Sequence, residues 1–99
     1  MKIVSQKIRD SAKGEDCAFR FPDICKGNSE TVVFCHINTK FKGTGLKSPD
    51  LFGGYGCVDC HQALDSNVLK MIEVHGKWVL DGMVETQMKL VVKGLVCIK

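Results

Sequence analysis

The sequence lacks any apolar run long enough to cross a bilayer. Its first residues become charged too early to form the hydrophobic region of a secretory signal. Internal repeats and low-complexity tracts are also missing. We therefore expect a soluble, cytoplasmic protein, and the length of 99 residues favours one domain over residues 1–99.

Acidic side chains are missing from residues 31–49, although the whole chain carries 11. Three lysines, Lys40, Lys42 and Lys47, fall within this stretch, shortly after His36. A local positive field of this kind suits a nucleic-acid backbone. A solvated basic loop explains the pattern equally well, and the net charge of +3 is weak evidence for any partner.

Cysteine, by contrast, is plentiful, with six residues in a chain expected in a reducing compartment. There, metal ligands or free thiols are commoner than disulfides. Cys57 and Cys60 have the two-residue spacing that lets two sulfurs reach one ion, and Cys17 and Cys25 flank a short loop upstream. Together the two pairs would complete a tetrahedral zinc site. Structural zinc contributes roughly 10–16 kcal/mol of apparent binding free energy, against about 5–15 kcal/mol of net stability for ordinary domains.

Residue patterns predict three helices, two main strands and a short terminal strand. The predicted helices cover residues 2–13, 60–72 and 78–93, and the predicted strands cover residues 31–37 and 51–57. His75 and Gly76 break the helical pattern, and we expect His75 on the surface. Residues 95–98 indicate a short terminal strand that buries Cys97.

Two further expectations concern the core. Residues 15–30 are typical of an irregular loop, ordered by ligation through Cys17 and Cys25 rather than by core packing. The last predicted helix is mostly apolar. We expect Trp78 and the methionines to fill the core.

Two histidines, His36 and His61, are candidates for catalytic residues. His36 lies near the end of the first predicted strand, and His61 and Asp65, four residues apart, share a face of the following helix. Phosphodiester hydrolysis needs a water deprotonated near neutral pH and a cation beside the scissile phosphate. A histidine, with an ordinary pKa of about 6.5, can take that proton. We predict His36 as the general base, with His61 and Asp65 holding a divalent ion that leaves room for phosphate oxygens.

A co-linear series of segments carries a resemblance over most of the chain: SAKGEDC at 11–17, Pro22 to Cys25, CHI at 35–37, GTGLKSPDL at 43–51, CVDCH at 57–61 with Asp65, and LDGMVETQ at 80–87. With these segments the chain resembles the small phage- and prophage-encoded nucleases of the HNH-like, ββα-metal superfamily.

The resemblance implies an α+β fold with a zinc-bound ββα-metal, treble-clef-like core between N-terminal and C-terminal helices. It implies zinc on the four cysteines named above, and His36 and His61 as active-site residues. The implied activity is endonucleolytic cleavage of nucleic acid, with DNA as the expected partner and Mg²⁺, Mn²⁺ or Zn²⁺ as the catalytic ion. In these enzymes an acidic residue or a histidine usually precedes the catalytic histidine, whereas this chain has Cys35.

Other functions compete with a nuclease. The segment from Cys57 to His61 also matches the c-type haem attachment signature, but that chemistry needs export, and a thioredoxin-like site would need a βαβ context. The serious alternative is a zinc-stabilised module that uses Lys40, Lys42, Lys47 and the N-terminal helix to bind DNA or RNA without cleaving it. His36 would then be a structural histidine.

Overall fold

The computed structural model describes residues 5–37 and 52–97. The described elements are α1 (Gln6–Asp10), a 3-10 helix (Ser29–Thr31), β1 (Val33–His36), β2 (Gly53–Gly56), α2 (Val58–Ser66) and α3 (Val68–Val92). The predicted α+β class and the order of strand, strand and helix are confirmed. Both strands are shorter than predicted, because Thr31 ends the 3-10 helix and Cys57 already caps α2.

The two strands form an antiparallel pair in which His36 lies opposite Gly53 and Val33 opposite Gly56. α2 contacts both strands, and α3 packs against β2 and α2. The single helix predicted over residues 60–72 is wrong, because Asn67 leaves the helical conformation. Its side chain accepts the backbone N–H of Lys70 at 3.0 Å and thereby caps a new helix.

The loop over residues 15–30 contributes directly to the core, contrary to the expectation that metal ligation alone orders it. Phe19 and Phe21 are each 1% exposed. The ring of Phe19 occupies space that two glycines leave open, since a Cβ at Gly54 or Gly82 would lie 2.6 or 2.5 Å from it. β2 and α3 therefore meet around an aromatic ring from the loop.

The predicted break in the helical pattern is confirmed: α3 consists of two helical segments that meet at a kink, where His75 has the non-helical angles φ −127° and ψ 34°. His75 is half-buried rather than on the surface: its ring stacks on Phe21 with centroids 5.9 Å apart and meets the Trp78 ring edge-on. The expectation that Trp78 and the methionines all fill the core is also wrong. Met71 is 7% exposed, but Trp78 and Met88 are 38% and 66% exposed.

The predicted terminal strand is absent from the described residues, which end at Cys97. The backbone N–H groups of Leu95 and Val96 both bond to the carbonyl of Leu90, at 3.0 and 3.4 Å, and fold the chain back onto the end of α3. Cys97 is exposed rather than buried. Across the described segments, none of the helices combines the length and the apolar character needed to span a membrane.

Candidate functional site

The sulfurs of Cys17, Cys25, Cys57 and Cys60 all lie within 4.8 Å of one another. Cys17 Sγ is 3.7 Å from Cys60 Sγ, and Cys25 Sγ is 3.8 Å from Cys57 Sγ. Four Zn–S bonds of about 2.3 Å arranged as a tetrahedron give sulfur–sulfur edges of about 3.8 Å, whereas a disulfide bond is about 2.05 Å long. The four cysteines could therefore hold one metal ion.

The two cysteine pairs are positioned by different parts of the fold. Cys57 is the residue before α2 and its carbonyl accepts the backbone N–H of His61 at 2.9 Å, which places Cys60 in the first helical turn. Upstream, the N–H of Ala18 donates to the carbonyl of Tyr55 at 2.7 Å and ties the residue after Cys17 to β2. The cluster thus joins the loop to the junction between β2 and α2.

The loop between Cys17 and Cys25 contains two non-glycine residues in the left-handed region, Arg20 (φ 49°) and Asp23 (φ 62°). Such conformations cost of order 1–3 kcal/mol each. Burial of Phe21 between them helps to offset this cost. Arg20 is also fixed by a bidentate contact with Glu85, at 2.8 and 3.2 Å. Aspartate tolerates the left-handed region, so Asp23 after Pro22 is compatible with a turn, whereas the residue type at Arg20 does not predict this conformation.

The thiols of the cluster influence one another's protonation. Hydrogen bonding with Cys60 lowers the pKa of Cys17 to about 4. The same contact raises the pKa of Cys60, and burial raises the pKa of Cys25. The cluster therefore stabilises one thiolate and disfavours deprotonation of the other thiols. Four thiolates can coexist there only if a bound cation offsets their negative charge.

His61 and Asp65 lie together on α2, as their spacing predicts. His61 Nε2 is 3.2 Å from Asp65 Oδ2, and their side chains are 37% and 59% exposed. Adjacent ligands of an octahedral ion with bonds of about 2.1 Å are about 3 Å apart, so the two atoms fit neighbouring positions on such an ion. An ordinary ion pair between residues four apart gives the same distance.

His36 is half-buried at the end of β1. Its ring meets the ring of Phe34 edge-on, with centroids 5.3 Å apart and planes at 78°. Gly53, directly across the ladder, leaves room for Phe34, because a Cβ there would lie 2.7 Å from the Phe34 ring. The His36 imidazole therefore packs against a buried aromatic ring.

Cys35, beside His36, points into the core. It is fully buried, its Sγ lies 3.7 Å from the carbonyl oxygen of Val33 and 3.9 Å from that of Gly56, and burial raises its pKa. It is therefore poorly placed to act as a metal ligand next to His36.

Over residues 5–37 and 52–97, the cysteine cluster is the one set in which three or more ligating side chains converge. His36, His61 and Asp65 do not form such a set. Lys40, Lys42 and Lys47 lie outside the described residues, so their predicted role stays a prediction.

The family model described as "Putative nuclease YbcO" matches residues 6–95 of the chain. The chain belongs to this family. Two YbcO relatives, "Putative nuclease YbcO" of Escherichia coli (strain K12) and "Putative nuclease ybcO" of Enterobacteria phage 82, are each 36% identical to it over 91 residues, covering 90% of this chain and 95% of the relative. The predicted resemblance to phage and prophage nucleases is confirmed at the level of the YbcO family.

A solved structure is also similar to this YbcO-family chain. Its title reads "Structure of a putative bacteriophage protein from Escherichia coli str. K-12 substr. MG1655", and it matches with a TM-score of 0.65 and 29% sequence identity. The match covers 89% of this chain and 100% of that one.

Proposed function

We propose that this chain is a metal-dependent nuclease of the HNH-like, ββα-metal type, which hydrolyses phosphodiester bonds within DNA in the cytoplasm. Membership of the YbcO family supports the nuclease assignment. The observation that carries the proposal is the His61–Asp65 pair, 3.2 Å apart on the exposed face of α2. That helix packs against the strand that ends at His36.

In this proposal His36 is the general base, whose neutral imidazole nitrogen accepts a proton from the attacking water. The edge-on contact with Phe34 limits the freedom of the ring and orients it before substrate arrives. His61 Nε2 and Asp65 Oδ2 would hold a divalent ion, Mg²⁺, Mn²⁺ or Zn²⁺. When bound, such an ion stabilises negative charge on the phosphate and on the leaving oxygen.

We assign a separate, structural zinc to Cys17, Cys25, Cys57 and Cys60. Four protein ligands leave no open position on a tetrahedral ion, which is the property of a structural site. This zinc would tie the loop over residues 15–30 to the start of α2, within a single domain covering residues 1–99.

The burial of Cys35 supports a catalytic ion with few protein ligands. The residue that commonly provides a ligand before the catalytic histidine is here turned inwards, which leaves His61 and Asp65 as the proposed ligands. Mg²⁺ fits the low number of protein ligands, because it usually retains several waters and binds through one or two carboxylates together with substrate phosphate, whereas the imidazole of His61 suits Zn²⁺ better.

A plasmid-nicking assay with defined metals tests the proposal. His36→Ala should reduce the nicking rate by about 100-fold or more, the usual contribution of a general base. Gln62→Ala, an exposed change on α2 next to His61, should leave the rate unchanged. Circular dichroism and zinc content should be equal in all three chains, so that a lost fold is not mistaken for lost chemistry.

A zinc-stabilised DNA- or RNA-binding module is the second candidate. It is favoured by the observation that His36, His61 and Asp65 do not converge as one ligand set among the described residues. If the zinc-loaded chain binds DNA or RNA but cleaves neither with Mg²⁺, Mn²⁺, Ni²⁺ or Zn²⁺, this module becomes the better account.

A further inference from the structure

The four clustered sulfurs are shielded unequally from solvent. Cys17, Cys57 and Cys60 are 4%, 0% and 0% exposed, whereas Cys25 is half-buried. A groove of about 540 Å³ follows the loop, and two of the four cysteines, Cys17 and Cys25, line it. A small reagent in this groove therefore meets the sulfur of Cys25 before the better shielded ones.

We propose that Cys25 is the reactive sulfur of the centre, the site that hydrogen peroxide or a soft electrophile modifies first, and that its oxidation releases the metal. This inference rests on the structural zinc proposed above. Four cysteines that ligate one ion are all thiolates, so charge does not distinguish them. Solvent access distinguishes the four cysteines, because the rates of oxidation and alkylation depend on both thiolate character and exposure.

The groove also suits a polar oxidant. Arg20 and Lys26 line it together with Asp16 and Asp23, so its walls carry hydrogen-bonding groups of both charges. Cys57 and Cys60 do not line it, although they belong to the same cluster. A reagent in the groove therefore reaches the metal cluster from the side of Cys17 and Cys25, the two ligands of the upstream loop.

The oxidation proceeds in two steps. The Cys25 thiolate attacks one oxygen of hydrogen peroxide, the O–O bond breaks, hydroxide leaves, and Cys25 becomes a sulfenic acid. The Cys57 thiolate then attacks the Cys25 sulfur, an S–S bond forms, the S–O bond breaks, and a second hydroxide leaves. Two thiolates lose two electrons in total, and one peroxide is reduced to two hydroxides.

We assign Cys57 as the second sulfur, because Cys25 and Cys57 form one of the two close sulfur contacts within the cluster and the other joins Cys17 to Cys60. Cys57 Sγ is 3.8 Å from Cys25 Sγ, and the two must approach by about 1.8 Å to form a bond of about 2.05 Å. Cys17 and Cys60 would remain as thiolates, 3.7 Å apart. Two ligands do not make a closed tetrahedral site, so zinc leaves the protein.

The test uses the zinc-loaded full chain carrying Cys97→Ser, because Cys97 is exposed and would otherwise consume the reagent. One equivalent of hydrogen peroxide is added, zinc release is followed with a chromogenic chelator, and disulfides are mapped by mass spectrometry. We expect about one zinc released per Cys25–Cys57 disulfide formed. In a parallel reaction with iodoacetamide, Cys25 should react at least about ten times faster than the other three ligands.

Three results would overturn the inference: a first disulfide between Cys17 and Cys60, equal alkylation rates at all four ligands, or zinc that stays bound after Cys25 is modified. A Cys25→His chain gives a second test, because imidazole is also a zinc ligand but cannot form the disulfide. Its zinc release by peroxide should be clearly slower. Should that variant fail to fold, the mapping on Cys97→Ser decides alone.

Zinc content measured before peroxide separates this inference from the proposal on which it rests. A folded chain that purifies without zinc contradicts the structural metal itself. A zinc-loaded chain whose four sulfurs react alike contradicts only the special reactivity of Cys25.

Discussion

The hydroxyl of Thr86 joins α3 to β2 by accepting the backbone N–H of Tyr55 at 3.0 Å, while it donates to the carbonyl of Gly82 at 2.8 Å. Thr86 is fully buried. Thr86→Val keeps the shape but leaves the Tyr55 N–H unpaired, so we expect the free energy of unfolding to fall by about 1–3 kcal/mol. Thr86→Ser, which loses only a methyl group, should cost about 1 kcal/mol. Urea denaturation of the zinc-loaded chains measures both, and equal losses would argue against the hydrogen bond as the cause.

Two glycines of α3 should respond to alanine in opposite directions. A Cβ at Gly82 would lie 2.5 Å from the ring of Phe19, so Gly82→Ala should lower the free energy of unfolding by about 1–3 kcal/mol through overpacking. Nothing lies within 4 Å of a Cβ at Gly76. Gly76→Ala should therefore raise the free energy of unfolding by about 0.5–1 kcal/mol through helix propensity alone. Thermal unfolding of the pair provides the comparison. A stabilised Gly82→Ala chain would mean that Phe19 can move aside.

Removal of one sulfur from the metal cluster should abolish both zinc binding and cooperative folding. A bound zinc contributes roughly 10–16 kcal/mol in small zinc modules, which exceeds the stability such a chain can spare. We expect one zinc per chain in the wild type and in Cys97→Ser, whose cysteine lies outside the cluster. Cys57→Ser should contain none and show no unfolding transition. A folded, zinc-free Cys57→Ser chain would contradict the structural metal.

The contact between Glu85 and Arg20 should make stability depend on acid pH. Hydrogen bonding with Arg20, and after it with Lys89 at 3.3 Å, holds the pKa of Glu85 below its ordinary value of 4.5. The stabilisation from this contact is therefore fully present above pH 4.5, and it disappears as the pH falls through the lowered pKa of Glu85 in the folded state. Because Arg20 is 55% exposed, solvent screens the pair, and Glu85→Gln should cost only about 0.2–1 kcal/mol at pH 7.

Denaturation at several pH values checks this expectation. The difference between wild type and Glu85→Gln should shrink below pH 4.5, and any effect of acid on the metal ligands should cancel in that difference. Asp81→Asn makes the same charge change at an exposed position of α3. A similar pH dependence in that control would assign the effect to net charge rather than to the contact with Arg20.

Asp65→Asn tests the proposed catalytic ion. The amide is a weaker ligand than the carboxylate, so the Mg²⁺ concentration that gives half-maximal nicking should rise by about tenfold or more. Asp81→Asn serves again as the control. An unchanged metal requirement in Asp65→Asn would indicate that Asp65 only pairs with His61.

Several features could be predicted from the sequence because they depend on spacing along the chain. The separation of Cys57 from Cys60 is that of two ligands across one turn, and His61 and Asp65 must share a helical face. The presence of the two strands also follows from residue patterns. The kink at His75 was expected as a break, since glycine follows it directly.

Packing between distant segments could not be predicted in the same way. Phe19 lies in an irregular loop without periodicity, and its burial depends on glycines at positions 54 and 82 that are far away in the sequence. The apolar residues of α3 differ from Phe19 in that they do follow a periodic pattern. Their pattern indicates a helix, but it does not reveal that the side carrying Met88 lies exposed.

The cysteine cluster imposes an order of events during synthesis. Cys17 and Cys60 are 43 residues apart and Cys25 and Cys57 are 32 apart, yet their sulfurs meet. At about 5–20 residues per second, roughly 2–9 seconds separate the appearance of the first ligand from that of the last. Until then the nascent chain contains only two of the four clustered ligands and, late in that interval, Cys57 as a third. Capture of the ion and organisation of the upstream loop are therefore late steps, because both wait for Cys60, the last of the four ligands along the chain.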